Sequence, residues 1–123
     1  VVFNVAVGNR DDHLRNHGFL LGREGWRLAP AFDVNPDIDK GEHVLNLDDS
    51  DHRPNLETVL ATAPFYGLDE GPALSLLNQV VSVVDRWPDA ARSCGISGAD
   101  IAGTAGAFSA HAAYRSAGKM KPA

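Results

Sequence analysis

Apolar and polar positions come in blocks along the chain, and the blocks differ in period. Residues 1–8 hold Val1, Val2, Phe3, Val5, Ala6 and Val7. That run is too short for periodicity to separate a strand from the end of a buried helix. A polar stretch, 9–18, comes next and closes on Gly18. Phe19-Leu20-Leu21 and Trp26-Arg27-Leu28 then flank Gly22-Arg23-Glu24-Gly25. This predicts a β-hairpin with a four-residue loop, because glycine supplies the positive φ such turns need. Residues 29–54 hold Pro30, Pro36 and Pro54 among many Asp and Asn, and predict irregular structure. Within them Asp48-Asp49-Ser50-Asp51 reads as a solvated turn. Asp37-Ile38-Asp39-Lys40-Gly41-Glu42 fails as a calcium loop, since its glycine comes one place early and Gly41 stands at the third ligand position.

From Asn55 onward the period is helical. Asn55 can cap a helix over 56–61, and Asp69 a long one with Pro72 in its first turn. Leu74, Leu77, Val81 and Val84 mark one apolar face of that helix, with Leu76, Val80, Val83 and Trp87 on its flank. So wide an apolar surface predicts central burial. Pro88 kinks or breaks it, and Gly95 ends the segment after the break. Ser97 with Asp100 resembles an acidic capping box for a last helix running to about Ala113. Both Trp26 and Trp87 read as core. The pattern predicts one domain over 1–115 and a disordered tail over 116–123.

The 123 residues carry 44% hydrophobic and 22% charged side chains, ordinary for a globular domain. A net charge of −5 argues against direct nucleic-acid binding, and the few basic residues near the end (Arg115, Lys119, Lys121) do not reverse that. Cys94 is the single cysteine. It excludes an internal disulfide, fits a reducing cytoplasm, and reads as a buried structural thiol. No apolar run approaches the roughly 20 residues of a membrane span, and no signal peptide is evident. Opening on Val1 and an apolar run, the chain reads as a fragment whose upstream part is missing.

The densest chemistry lies in Asn9-Arg10-Asp11-Asp12-His13-Leu14-Arg15-Asn16, with Asp33 just beyond the hairpin. Asp11 and Asn16 stand as D-x-x-x-x-N, the spacing of a protein-kinase catalytic loop. There the carboxylate takes the substrate hydroxyl proton, the amide oxygen holds Mg²⁺, and a second Asp holds the metal too. Mg²⁺ accepts such a set because it prefers hard oxygen ligands and keeps several waters. Simpler roles compete: Asp11 and Asp33 as turn caps, Asn16 in a left-handed turn, His13 in a structural hydrogen bond to the loop backbone. His13 and His17 are four apart, so His13, His17 and Asp33 form a rival metal site.

Residues 7–18, together with Trp26-Arg27-Leu28-Ala29-Pro30-Ala31-Phe32-Asp33-Val34-Asn35-Pro36, resemble the HipA-like C-terminal domain of bacterial serine/threonine kinase toxins. The resemblance implies a mainly α fold: a protein-kinase-like C-terminal lobe, a helical bundle with a short β-hairpin next to the catalytic loop. It favours a helix over residues 1–8. It implies Asp11 as catalytic base, Asn16 and Asp33 as Mg²⁺ ligands beside ATP, and His13 orienting the loop. Arg15 stands where the family has Lys and would steady the transferring phosphate. Arg10 replaces a small polar residue. The implied partners are a protein substrate with Ser or Thr and a HipB-like DNA-binding antitoxin; the implied compartment is the cytoplasm. The nucleotide-covering lobe of a kinase does not fit in these residues. The chain alone is therefore expected to be inactive, with an exposed apolar patch that drives self-association. The main alternative is a non-catalytic module whose helices, 55–113, dock an antitoxin-like partner.

Overall fold

The computed structural model describes residues 1–118. Helix α1 (Val2–Val7) sits at the centre, with Val5, Ala6 and Val7 buried. Gly8 ends it at φ 70°. The Asn9 N–H reaches back to the Asn4 carbonyl at 2.8 Å and the Gly8 N–H to that of Val5 at 3.3 Å. This is a Schellman cap, which needs the left-handed backbone glycine adopts most cheaply. The ambiguous opening run is thus a helix.

A 3₁₀ turn, Leu14–Asn16, leads into strands β1 (Phe19–Gly22) and β2 (Gly25–Leu28). They pair antiparallel from Phe19 opposite Leu28 to Gly22 opposite Gly25. The loop is therefore Arg23-Glu24 alone, two residues rather than four, because both glycines join the last rung. Every hairpin residue is exposed, and Trp26 at 70% is not core. Two strands with no third layer have no inside face, so apolar side chains on both faces meet water. We expect the chain to self-associate through Phe19, Leu21, Trp26 and Leu28 at high concentration. Light scattering should find oligomers that the double variant Leu21→Lys, Trp26→Lys returns to monomer. A monodisperse wild-type monomer would count against this.

Residues 29–54 are irregular, as their composition predicts. Asp48 Oδ1 accepts from the N–H groups of Ser50 and Asp51, the local turn that Asp favours. Helix α2 (Leu56–Ala61) is capped by Asn55, whose Oδ1 accepts from the Glu57 N–H at 2.8 Å. A 3₁₀ turn (Ala63–Tyr66) joins it to the long α3 (Glu70–Val84). Asp69 holds the N-cap position there but makes no side-chain cap bond.

Ala73, Leu77, Val81 and Val84 of α3 are buried against α1 and α2, whereas Leu76 and Val83 are exposed. The expected central burial thus holds for one face, while part of the flank meets solvent because the neighbouring helices cover one side only. Chain direction changes before Pro88, which starts α4 (Trp87–Ser93). Gly95, at φ 82°, lies just past the end of α4. Trp87 is half-buried and stacks on Phe108, ring centroids 4.1 Å apart. Cys94 is exposed rather than buried, since it caps a helix with no buried face.

Ser97 caps α5 (Gly98–Thr104) by accepting from the Asp100 N–H at 3.1 Å. The expected single last helix is instead two: a 3₁₀ turn, Ala105–Phe108, separates α5 from α6 (Ser109–Ser116). That turn drives Ala107 and Phe108 into the core beside α1, with Ala110 and Tyr114 behind them. Ser116 belongs to α6, so the helix runs past the predicted end; residues 119–123 of the predicted tail lie outside the described residues. The fold is mainly helical with one short hairpin. Among the described residues no helix is long and apolar enough to cross a membrane.

Candidate functional site

The loop after α1 is fixed by backbone bonds on both sides. The Asp37 N–H donates to the Gly8 carbonyl at 2.9 Å and the Val44 N–H to that of Arg10 at 3.0 Å. These bonds draw residues 33–44 alongside residues 8–16 and create a cleft of about 320 Å³. Asp11, Asp33, Asp37, Asp39 and Lys40 line it, with Asn9 and Asn35. Asp11 and Asp33, 22 positions apart in sequence, therefore face the same space.

Asn16 is buried and meets this cleft through Asp33. Its Nδ2 donates to Asp33 Oδ2 at 2.7 Å, and its Oδ1 accepts from the His13 N–H at 3.3 Å. Asp33 Oδ1 accepts from Asn35 Nδ2 at 3.0 Å. Among the described residues Asp33 is the only non-glycine with positive φ, at 55°. Such a backbone persists only where surrounding bonds hold it, and strain of this kind gathers at functional sites.

His13 meets the loop through its backbone N–H, while its ring Nδ1 is buried without a partner. The expected structural bond is therefore made by the main chain. Arg15 is exposed on the 3₁₀ turn and makes no ion pair among the described residues. His17 turns away from Asp33 and bonds through Nε2 to Asp12 Oδ1 at 2.8 Å, while Asn4 Nδ2 holds Asp12 Oδ2 at 2.7 Å. The rival site of His13, His17 and Asp33 is not brought together.

Asp33 and Asn16 carry hard-oxygen donors of the kind Mg²⁺ prefers, but the Asn16 amide turns its nitrogen to the carboxylate and its oxygen to the His13 N–H. Among the described residues no group of three or more His, Cys, Asp or Glu that could hold a metal forms. A divalent ion here would rest on one carboxylate and one amide oxygen, completed by phosphate and water, which suits Mg²⁺ and not zinc. The donor chemistry fits, although the amide oxygen now accepts from His13.

Sequence reasoning missed Lys40, whose ammonium pairs with Asp11 Oδ1 and lies 3.9 Å from Asp37 Oδ2. The Lys40 side chain beside Asp11 holds its carboxyl below the usual carboxylate range, and Asp11 in turn raises Lys40. The available signal was faint: one cation amid Asp33, Asp37, Asp39 and Glu42. Arg10, to which the sequence assigned no role, is buried at 5% exposure and faces the protein body.

His43, also buried, lies behind the loop with Nε2 unpartnered. Burial, reinforced by the Arg10 charge, lowers its pKa from the ordinary 6.5, against a hydrogen bond with the Asn9 backbone. The unfolded chain thus binds this proton more readily than the folded one. Stability from His43 is full above about pH 6.5 and falls as pH drops below it, at up to about 1.4 kcal/mol per pH unit. Urea unfolding between pH 7.5 and 5.5 should show this slope, and His43→Gln should flatten it. An unchanged slope in that variant would assign the effect elsewhere.

A family model described as the HipA-like C-terminal domain matches residues 1–88 of the 123. Comparison with the curated proteins and with the solved structures gave no match.

Proposed function

The chain belongs to the HipA-like C-terminal domain family, and from that premise we propose that it is the catalytic half of a serine/threonine protein kinase. One observation carries the reading: Asp11 and Asp33 line a single cleft, and Asn16 is hydrogen-bonded to Asp33 at its wall. The spacing of these three residues and their convergence are what phosphoryl transfer needs.

In this reading the acceptor hydroxyl of a protein Ser or Thr lies against Asp11, whose Oδ2 takes its proton as the oxygen bonds to the γ-phosphorus of ATP and the bond from that phosphorus to the β,γ-bridging oxygen breaks, ADP leaving with the electron pair. Asp33 and Asn16 would hold Mg²⁺, which neutralises charge on the transferring group when bound. Their fixed neighbours, Asn35 and the His13 N–H, limit what must reorganise as charge shifts. His13 positions Asn16 through its main chain. Arg15, exposed at the loop, is free to reach the phosphates of a bound nucleotide. Most of the acceleration comes from alignment and charge neutralisation, because a loose phosphoryl transition state asks little covalent work of the protein.

A kinase also requires a glycine-rich loop over the phosphates and a lysine–glutamate pair on a strand-rich lobe. The described residues offer one two-stranded hairpin in that role's place. The chain is therefore expected to transfer nothing until such a lobe is supplied, in the same polypeptide or in trans. The test is radiolabelled phosphate transfer from Mg²⁺-ATP, by the chain alone and joined to that lobe. Turnover by residues 1–123 alone would sink the division of labour, and silence from the joined protein would sink the kinase reading.

The exposed apolar hairpin favours a second reading, in which the chain is an interaction module docking an antitoxin-like partner. Under that reading Asp11→Ala retains partner binding and every phenotype; under the kinase reading it loses the phenotype.

A further inference from the structure

Arg10 precedes the candidate base by one residue, and its side chain turns inward. Nη1 donates to the carbonyls of Asp37 at 2.7 Å and Lys40 at 2.6 Å. Nη2 donates to Ser109 Oγ at 2.9 Å and, at 3.4 Å, to the Ala107 carbonyl. All four acceptors are neutral, so among the described residues a buried cation is held without a carboxylate on it, and its Nε has no partner. A buried charge is costly unless its bonds are well made. Here they clamp the 37–40 turn against the loop that carries Asp11.

The turn is fixed from within as well. Asp37 Oδ1 accepts from the N–H groups of Asp39 and Lys40, each at 2.9 Å. The Lys40 backbone is thus held at both its carbonyl and its N–H, and its ammonium lies on Asp11 Oδ1. Asp11 has an exposed side chain, at 58%. Its Oδ2 takes no partner among the described residues. Without Lys40 the carboxylate would turn freely about its side-chain bonds; with it, one oxygen is tied and the other stays open to the cleft.

We propose that Lys40 is a positioning residue for Asp11, set in place by the Arg10 clamp, orienting the carboxylate while leaving Oδ2 to the acceptor hydroxyl. The inference rests on the kinase reading and deepens it, assigning the cation that serves the base to a residue outside the catalytic-loop motif. Arg15 makes no ion pair with Asp11, and Arg10 is committed to the protein body. The other charged groups near Asp11 are His13 and Asp37, with Asp33 and Asp39 on the same cleft. Lys40 lowers the basicity of Asp11, a small cost in a reaction where alignment outweighs proton abstraction.

The test uses the whole protein that carries this chain, with Mg²⁺-ATP and casein as acceptor, beside the ¹³Cγ resonance of Asp11 in the labelled chain. Lys40→Met is expected to lower kcat about ten- to a hundredfold with KM for ATP unchanged. It should also move the Asp11 titration upward, and Lys40→Arg should restore both. Lys40 is half-exposed, so its loss leaves the fold intact, which circular dichroism checks. An unchanged kcat overturns the proposal, and a raised kcat overturns it in favour of Lys40 as a block on the base. The resonance reports the pair whether or not phosphate is transferred. A normal Asp11 shift in a wild-type protein that transfers nothing identifies failure of the kinase reading, and the positioning role falls with it.

Discussion

Replacing Gly8 by alanine should destabilise the chain by about 2 to 5 kcal/mol, a large share of the roughly 5 to 15 kcal/mol that holds an ordinary domain folded. Two costs add. At φ 70° an L-residue sits in the left-handed region, at roughly 1 to 2 kcal/mol. The added Cβ would also lie 2.1 Å from the Ala107 carbonyl oxygen and 2.7 Å from its carbon. Those atoms are backbone in the buried turn between α5 and α6, so no side chain can swing aside. Overpacking of this kind costs about 1 to 3 kcal/mol more. Gly95, also at positive φ, has none of the described residues within 4 Å of its hypothetical Cβ, so alanine there should cost only the backbone term. Thermal unfolding of the two variants separates strain from collision, and equal losses would refute the packing argument.

Asp11→Asn should lower phosphate transfer by about two to four orders of magnitude in a protein that supplies the nucleotide lobe. The substitution keeps the shape of the side chain and removes its capacity to take a proton. It also leaves Lys40 facing a neutral amide, so alignment and proton transfer are lost together. Asp11 is exposed and, among the described residues, makes its one ion pair with an exposed lysine, so melting temperature should hardly change. KM for ATP should stay close to wild type, because the metal and phosphates are assigned to Asn16, Asp33 and Arg15. Near-normal kcat with intact folding would remove Asp11 from the role of base.

Local chemistry was easiest to see in the sequence. Asn55 before an apolar-periodic stretch announces its helix, and Asn55 Oδ1 does accept from Glu57. The D-x-x-x-x-N spacing and the hairpin before Asp33 announced a convergence, and Asp11 with Asp33 does line one cleft. What escaped depends on distance. Nothing adjacent to Arg10 reveals that its acceptors lie 27, 30, 97 and 99 residues away, so a residue that stood out only by replacing a small polar one is in fact a clamp. Lys40 escaped for a related reason, since an exposed cation in an acidic loop looks the same whether it floats or lands on a base. Trp26 was misjudged because hydrophobicity predicts burial only where a second layer exists to do the burying. The break at Ala105–Phe108 carries no proline, and Gly106 within it is only a weak signal that a helix tolerates.

Gly8 and Arg10 both reach the turn at Ala107, and that turn lies beyond residue 88, where the family match ends. The stretch by which this lineage is recognised is therefore shorter than the stretch that must fold together. A cut after residue 88 would strip Ala107, Phe108, Ala110 and Tyr114 from the core and strand two donors of a buried guanidinium. Relatives that carry another C-terminal extension would need some other wall against α1 and another set of acceptors at the position of Arg10.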